Sequence, residues 1–267
     1  MTSRYAVVTG ASSGIGAATV RRLRAQGWQV LAIARRADRL ADLAAETGCS
    51  TRVVDVTNAD DVEALRAALA AEARETGTPV DTLILNAGLA IGVDPVEAAD
   101  PADWARMFEV NVLGAQRVAA ALLPLLREGA QVRGGADLVA VTSTAGQRTY
   151  EGGGGYAASK FGLRAMMDTL RLELAGEPIR VVQIAPGMVR TDEFTLNRLG
   201  GDAERAARLY EGVENPLTAD DVALVIVQTL ALPDHINLDE ITMRPVAQSA
   251  QHKLTRGPLR PREAPAP

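Results

Sequence analysis

Short apolar runs alternate with longer amphipathic stretches through most of the chain. The runs predict strands at Tyr5–Thr9, Gln29–Ala34, Thr51–Asp55, Thr82–Asn86, Asp137–Thr142, Arg180–Ala185 and Glu240–Arg244. The stretches predict helices that include Gly16–Gln26, Ala59–Glu75, Ala102–Leu126, Tyr156–Leu174 and Ala219–Leu230. The predicted strands are apolar throughout rather than alternating, as a parallel sheet covered by helices on both faces requires. We therefore expect an α/β protein with a doubly wound fold of about seven parallel strands.

One domain accounts for nearly the whole chain. The 267 residues, 47% of them hydrophobic, suffice for a single domain with a full core. We place it over residues 1–250 as a cofactor-binding and catalytic domain. Residues 251–267 include RGPLRPREAPAP, which is rich in proline and charge. This composition predicts a flexible tail, or one that lies over a neighbouring subunit.

Charge and composition argue against several classes of protein. A net charge of −5 and an isoelectric point near 5.2 give no reason to expect a nucleic-acid or membrane partner. No apolar run approaches the roughly 18 residues that would span a bilayer. The first strand begins too early to leave room for a signal peptide. The single cysteine, Cys49, fits a reducing compartment, so we expect a cytoplasmic protein.

The chain offers few residues for a metal site or a hydrolase. It has two histidines, His235 and His252, beside its one cysteine, which argues against a His/Cys metal site. The same scarcity argues against a Ser-His-Asp triad, unless one of these histidines is the base. We therefore expect no bound metal, and chemistry carried by Ser, Tyr, Lys, Asn and Arg.

A glycine-rich turn, TGASSGIG, follows the first predicted strand and opens a helix. Glycines at this place let the backbone approach a pyrophosphate, and the helix N-terminus favours the anion. Tight turns need glycine for other reasons too, but the position between strand and helix favours a dinucleotide site. The residues expected to contact the cofactor here are Gly10, Ser12, Ser13, Gly14, Ile15 and Gly16.

The residues after the next strands indicate which dinucleotide binds. Arg35 and Arg36 follow the second strand, where an NAD-dependent enzyme usually has an acidic residue. Arginine there can bind a 2′-phosphate through paired, charge-assisted hydrogen bonds; the alternative is that both are solvated. We therefore expect NADP(H) rather than NAD(H). The residues expected to contact the adenine and the ribose, after the third and fourth strands, are Asp55, Val56, Asn86, Ala87 and Gly88.

A serine, a tyrosine and a lysine are spaced for acid–base chemistry. Ser143 closes the strand DLVAVTS, and Lys160 lies one helical turn beyond Tyr156 on the same face. The ammonium and an oxidised nicotinamide are expected to lower the pKa of the phenol from near 10 toward a usable value. Ser143 is expected to hold the substrate oxygen. A Tyr-x-x-x-Lys pair alone also arises by chance in many helices.

Taken in order, these motifs resemble those of the short-chain dehydrogenase/reductase family. TGASSGIG, the NAG at 86–88, FEVNVLG, the Ser-Tyr-Lys set and PGMVRT at 186–191 span nearly the whole chain. The resemblance implies a Rossmann-type fold and an oxidoreductase acting on CH–OH groups. It also implies a fourth catalytic residue, Asn111, that kinks its helix and holds a water near Lys160. By the same resemblance the cofactor is further contacted by Tyr156, Lys160, Pro186, Gly187, Val189 and Thr191.

The second half of the chain is similar to the NADP-dependent 3-hydroxy acid (serine-type) dehydrogenases within that family. The segments DEFTLNRLGGD, RLYEGVENPLTADDV and LPDHINLDEITMRPVAQS carry this similarity. It implies a homotetramer, with a homodimer as the alternative, and a substrate such as serine or 3-hydroxypropionate. Arg148 and Thr149 stand where members often carry a Trp-Pro pair. A reductase of uncharged ketones or aldehydes, or of a secondary-metabolite carbonyl, therefore remains the alternative.

Two segments are expected to form the substrate walls, residues 145–155 and 188–210. Arg148, Arg190 and Arg198 are candidates to pair with a substrate carboxylate. The alternative is that these arginines are solvated or ion-paired with acidic neighbours, which are Glu151, Asp192 and Glu193. The residues expected to contact the substrate are Ser143, Gln147, Arg148, Tyr156 and Arg190.

Two functions from other classes remain as competing hypotheses. A regulator that senses NADP(H) without catalysis would need none of the acid–base residues, so the complete Asn-Ser-Tyr-Lys set speaks against it. A sugar-nucleotide epimerase would need a larger C-terminal substrate domain than the chain has length for after residue 245.

Overall fold

The computed structural model describes residues 4–191 and 193–261 and contains one central sheet. The strands are β1 (Tyr5–Thr9), β2 (Gln29–Ala34), β3 (Ser50–Val53), β4 (Thr82–Leu85), β5 (Ala136–Val141), β6 (Ile179–Pro186), β7 (Val189–Arg190), β8 (Leu217–Thr218), β9 (Glu240–Met243), β10 (Gln248–Ala250) and β11 (Lys253–Leu254). Within the described residues the central sheet has seven strands in the order β3-β2-β1-β4-β5-β6-β9, and every pair is parallel.

Helices cover both faces of this sheet, which confirms the predicted fold class. They are α1 (Gly14–Ala25), α2 (Ala37–Thr47), α3 (Ala59–Thr76), α4 (Pro101–Phe108), α5 (Ala115–Arg133), α6 (Gly154–Glu173), α7 (Phe194–Arg198), α8 (Ala203–Tyr210) and α9 (Ala219–Leu230). Successive strand residues point to opposite faces. Val7 therefore packs with α3, α5 and α6, and Val8 packs with α1, α2 and α9.

A buried ionic cluster closes the amino end of the sheet, opposite the end where the strands finish. Asp137 is fully buried and accepts hydrogen bonds from Arg180, at 2.5 Å, and from Arg4. Arg4 also bonds Asp81 at 3.2 Å. An unpaired charge at this depth would be costly, so the cluster fixes the starts of β1, β5 and β6 relative to one another.

One helical run in the described part of the chain, Pro101–Arg133, is long and apolar enough to cross a membrane by length and composition alone. The expectation that no segment reaches this length is therefore wrong for this run. Half of its apolar window is buried inside the domain, where Leu122 and Leu126 belong to the core. A core helix passes the same test, so the run is weak evidence for a membrane span.

Residues beyond 250 continue to pack on the domain, so the predicted boundary does not coincide with a structural break. β10 and β11 form an antiparallel hairpin. Gly257 pairs with Val213, and the amide of Leu259 donates to Glu214 at 2.5 Å. The rest of the predicted tail, residues 262–267, lies outside the described residues.

Candidate functional site

A cavity of about 1140 Å³ opens at the carboxyl ends of the sheet strands. It lies where the strand order reverses between β1 and β4, the usual ligand position in a doubly wound sheet. Most of the predicted site residues meet there. Those that line the cavity are Gly10, Ser12, Ser13, Gly14, Ile15, Arg35, Arg36, Asp55, Val56, Asn86, Ala87, Gly88, Ser143, Tyr156, Lys160, Pro186, Gly187, Val189 and Thr191.

The glycine turn is held tightly against the end of β4. A Cβ at Gly16 would lie 2.5 Å from both Asn86 Nδ2 and the Gly10 carbonyl oxygen, so only glycine fits. The Asn86 amide donates to the carbonyl oxygens of Thr9 and Gly10, at 2.9 and 3.2 Å. Gly10 itself has a φ of +64°, which favours glycine. Gly16 thus shapes the turn from behind and does not line the cavity.

The N-terminus of α1 is left open to an anion. Ser13 caps the helix with an extended backbone but makes no side-chain capping hydrogen bond, and the first turn holds no acidic residue. The first amides of the helix therefore point toward the cavity with the positive end of the helix dipole. These features fit a dinucleotide pyrophosphate.

Arg36 lies against the glycine turn, whereas Arg35 points outward. The Arg36 guanidinium donates to the hydroxyl oxygens of Ser12 and Ser13, each at 2.9 Å, and pairs with Glu193 at 2.8 Å. Arg35 reaches Asp55 only at 4.0 Å, and its side chain is 59% exposed. The structure therefore places one of the two predicted arginines beside the helix N-terminus, where it could receive a phosphate.

Asp55 and Val56 line the side of the cavity predicted to hold the adenine. Burial opposes ionisation of Asp55, but the amide and the hydroxyl of Thr57 donate to its carboxylate at 2.9 and 2.8 Å. These hydrogen bonds and the charges of Arg35 and Arg106 together outweigh burial and lower the pKa of Asp55. Asp55 is thus a fixed anion whose first role is to order its own loop.

Ser143, Tyr156 and Lys160 converge at the other end of the cavity. The hydroxyl group of Ser143 lies near that of Tyr156 and acts to lower the pKa of the phenol. The Lys160 ammonium lies 5.9 Å from the centre of the Tyr156 ring and donates to the Val141 carbonyl at 3.0 Å. α6 supplies both Tyr156 and Lys160, and the end of β5 supplies Ser143, as the sequence predicts.

Burial is the main influence on the pKa values of Tyr156 and Lys160. Burial raises the pKa of Tyr156 to about 12, although the Ser143 hydrogen bond and the Arg198 charge act in the lowering direction. Burial also lowers the pKa of Lys160 to about 8. The expectation that the Lys160 ammonium lowers the pKa of the phenol is therefore not met by the protein groups alone.

Asn111 lies in a π-helical turn, Glu109–Gly114, that joins α4 to α5, where the resemblance implies a kink. Its side-chain oxygen accepts a hydrogen bond from the Leu89 amide at 2.8 Å. Its side-chain nitrogen donates to the Leu89 carbonyl at 2.8 Å and to the Ser159 hydroxyl at 2.9 Å. A Cβ at Gly88 would lie 3.2 Å from Asn111 Oδ1 and 3.5 Å from Lys160 Nζ. Asn111 thus stands behind the cavity wall, next to the lysine.

Three of the predicted substrate residues lie away from the cavity. Gln147 is bonded to Glu240 and Thr242, at 2.8 and 2.6 Å, because the turn after β5 directs it toward the sheet edge. Arg148 is exposed, and Arg190 is also exposed, with its guanidinium 5.9 Å from the centre of the Tyr210 ring. The assignment of these three to the substrate wall is not supported by their positions.

Arg198 is the arginine that reaches the catalytic end. Its guanidinium lies 5.4 Å from the centre of the Tyr156 ring and donates to the Tyr150 hydroxyl at 2.8 Å. It also donates to the carbonyls of Gly92 and Gly152. No carboxylate pairs with Arg198 in the described part of the chain. Of the acidic partners considered above, Asp192 lies outside the described residues.

The C-terminal hairpin supplies two cavity residues that the sequence pattern does not indicate. Gln248 is buried and accepts a hydrogen bond from the Met188 amide at 2.8 Å. A Cβ at Gly187 would lie 2.3 Å from Gln248 Oε1. Gln251 accepts from the Thr144 hydroxyl at 2.7 Å. The hairpin thus braces the turns after β5 and β6, and only the three-dimensional fold brings it there.

Comparisons with known proteins agree with this geometry. The family model described as short chain dehydrogenase matches residues 4–198. Serine 3-dehydrogenase of Agrobacterium fabrum is 40% identical, over 91% of this chain and 94% of that protein. The NADP-dependent 3-hydroxy acid dehydrogenase of Salmonella typhi is 36% identical, over 91% and 95%.

A solved structure shares the whole architecture. The closed form of serine dehydrogenase complexed with NADP⁺ has a TM-score of 0.85 and 35% identity, covering 97% of this chain and 100% of that one. The family match, the sequence relatives and the common fold lead to one conclusion. The chain belongs to the short-chain dehydrogenase family and is an oxidoreductase of that family.

Proposed function

We propose that the chain is an NADP(H)-dependent enzyme that interconverts a small 3-hydroxy acid and its carbonyl form. One observation carries the proposal. The neighbouring hydroxyls of Ser143 and Tyr156 stand beside two cations, Lys160 and Arg198, at one end of a cavity. The other end of that cavity has the features of a dinucleotide site.

The residues divide the proton chemistry among them. NADP(H), when bound, would supply or accept the hydride. Tyr156 donates its proton to the carbonyl oxygen in reduction and accepts it back in oxidation, while Ser143 holds that oxygen. The pKa of about 12 for Tyr156 favours the protonated form, which suits the donor step. In oxidation the positive charge of the cofactor would add to that of Arg198, which already acts to lower that pKa.

Arg198 is the proposed receptor for the substrate carboxylate. Its hydrogen-bond partners are neutral oxygens, so its charge is available to a ligand. It lies within 5.4 Å of the Tyr156 ring centre, close enough to serve an acid whose carboxylate is only a few bonds from the reacting carbon. The names of the relatives, serine 3-dehydrogenase and 3-hydroxy acid dehydrogenase, support this substrate class.

Arg36 supports NADP(H) over NAD(H). It is a cation at the end of β2, next to the glycine turn, in the place where an acidic residue would bind the ribose of NAD. A relative is named as NADP-dependent, and a structural neighbour holds NADP⁺.

A panel of substrates tests the proposal. Serine, 3-hydroxypropionate, uncharged secondary alcohols and uncharged ketones are each incubated with NADP(H) or NAD(H), and the reduced-nicotinamide absorbance is followed. We expect turnover of the two hydroxy acids with NADP⁺. Arg198→Met is expected to raise their KM about 100-fold, since a charge-assisted pair is lost, while Arg190→Met serves as the exposed control. Turnover of uncharged substrates only would contradict the 3-hydroxy acid assignment and leave a carbonyl reductase.

We also propose that the enzyme is a cytoplasmic homotetramer, with a homodimer as the alternative. Similarity to the serine-type dehydrogenases supports the assembly, and one cysteine in the whole chain supports a reducing compartment. Light scattering on the eluted protein measures the assembly: a mass near four times 28.1 kDa is expected, and a monomer would contradict it.

A further inference from the structure

Glu193 reaches from the segment before α7 to the proposed phosphate site. Its carboxylate pairs with Arg36 at 2.8 Å and lies 3.9 Å from Arg39, and it is hydrogen-bonded to the Ser13 side chain. Burial opposes its ionisation, but the hydrogen bonds from Ser13 and Arg36 keep the pKa of Glu193 below its ordinary value. An anion from the chain itself is therefore bound to the donors beside the glycine turn.

The same donors are the ones that a cofactor phosphate needs. Arg36 is the arginine placed for a 2′-phosphate, and Ser13 stands at the N-terminus of α1. Two anions within a few ångströms of one guanidinium repel each other, so Glu193 and the phosphate cannot share these donors without cost.

We infer that Glu193 competes with the cofactor phosphate for these donors. The Glu193 carboxylate holds α7 against the phosphate site until NADP(H) displaces it. The inference rests on the proposed function, in which this site binds NADP(H). It makes Glu193 a determinant of cofactor affinity and of the preference between NADP(H) and NAD(H), since NAD(H) brings no 2′-phosphate to Arg36.

We call the Glu193 carboxylate, with the Arg36 and Ser13 side chains that hold it, the latch. The latch connects the two ends of the cavity. α7 is five residues long and begins directly after Glu193. Phe194 at its start packs edge-on against Tyr156, with ring centres 5.7 Å apart, and Arg198 at its end lies over the same ring.

The effect on affinity follows from the population of the closed latch. If the carboxylate occupies the donors nine-tenths of the time, the apparent dissociation constant for NADPH is about tenfold above the intrinsic one. Neutralising the Glu193 side chain should therefore lower the apparent dissociation constant for NADPH by about tenfold. NADH should gain less, because it does not need Arg36.

The variant Glu193→Gln tests the inference, with Glu204→Gln as the matched control. Glu204 is an exposed glutamate on α8 whose side chain, among the residues that the structure describes, pairs with Arg208. Titration calorimetry gives the dissociation constants for NADPH and NADH. We expect E193Q to bind NADPH about tenfold more tightly, with a smaller gain for NADH and no change in E204Q. An unchanged or weaker affinity for NADPH in E193Q would overturn the inference.

A second measurement separates the latch from the cofactor assignment. Hydrogen exchange is followed without any ligand on peptides that cover 194–199, in the wild type, E193Q and E204Q. Faster exchange in E193Q alone supports the latch. Calorimetry that shows no NADPH binding to the wild type would contradict the proposed function but would leave this support for the latch in place. Equal exchange in all three proteins would overturn the latch while leaving NADP(H) dependence intact.

Discussion

Replacing Lys160 by methionine should stabilise the fold while removing the proposed catalytic cation. Lys160 is 4% exposed, and burial lowers its pKa from 10.5 to about 8. At roughly 1.4 kcal/mol per pH unit this difference costs the folded state about 3 kcal/mol at pH 7. The variant also loses the hydrogen bond to the Val141 carbonyl, and this loss offsets about 1–2 kcal/mol of the gain in stability. Lys160→Met, which keeps the packing volume, is therefore expected to raise the free energy of unfolding by about 1–2 kcal/mol.

The sign of this effect depends on pH in a defined way. Below pH 8 the lysine is protonated in both the folded and the unfolded chain, so the full cost of burying the charge is present. Between about 8 and 10.5 the unfolded chain still holds the proton and the folded chain does not, so the stability of the wild type rises with pH. The advantage of Lys160→Met should shrink through this window and vanish or reverse near its upper end.

Urea unfolding of the cofactor-free protein at pH 7 and pH 10 measures both effects. Lys253→Met is the matched control, because Lys253 is the other lysine of the chain and is exposed; it should change stability by less than about 0.5 kcal/mol. A Lys160→Met protein that is less stable than the wild type at pH 7, or whose advantage is the same at both pH values, would refute the reasoning.

Three further substitutions test separate parts of the structure. Asp137→Asn leaves Arg4 and Arg180 without their shared carboxylate and should cost about 3–5 kcal/mol in urea unfolding; a loss below about 1 kcal/mol would contradict the ionic cluster. Gly16→Ala places a methyl group 2.5 Å from the Gly10 carbonyl oxygen and should weaken NADPH binding at least tenfold by calorimetry, whereas unchanged binding would show that the turn yields easily. Gln248→Leu removes the acceptor for the Met188 amide and should raise the KM for NADPH several-fold with a smaller change in kcat; equal KM values would remove the hairpin from the site.

The sequence predicts the sheet well because burial on both faces leaves a clear pattern. β1 and β2 appear with the predicted bounds, and the others begin and end within two residues of them. α7 and α8 escape prediction for the opposite reason: α7 has five residues, and α8 has no buried residue. Both helices are also shorter than the window of about 11 residues over which a helical period can be recognised.

The cofactor end was predictable and the substrate wall was not. Glycines, arginines and polar residues at strand ends take their positions from the sheet, so sequence order fixes where they lie. Gln147 lies in the turn after β5 and Arg198 at the end of the short helix α7, and these direct the first toward Glu240 and the second toward Tyr156. Gln248 reaches the cavity only because the chain returns to the site after β9. The pattern of neighbouring residues along the sequence does not predict contacts of this kind.

The most direct test of the central claim compares the wild type with Tyr156→Phe in the presence of NADP⁺ and 3-hydroxypropionate, with reduced-nicotinamide absorbance as the readout. The phenylalanine variant keeps the ring that packs against Phe194 and removes only the hydroxyl. We predict turnover by the wild type and a loss of at least 100-fold in kcat for the variant, the size of a general acid–base contribution, with NADP⁺ binding retained. Equal kcat values in the two proteins would contradict the account.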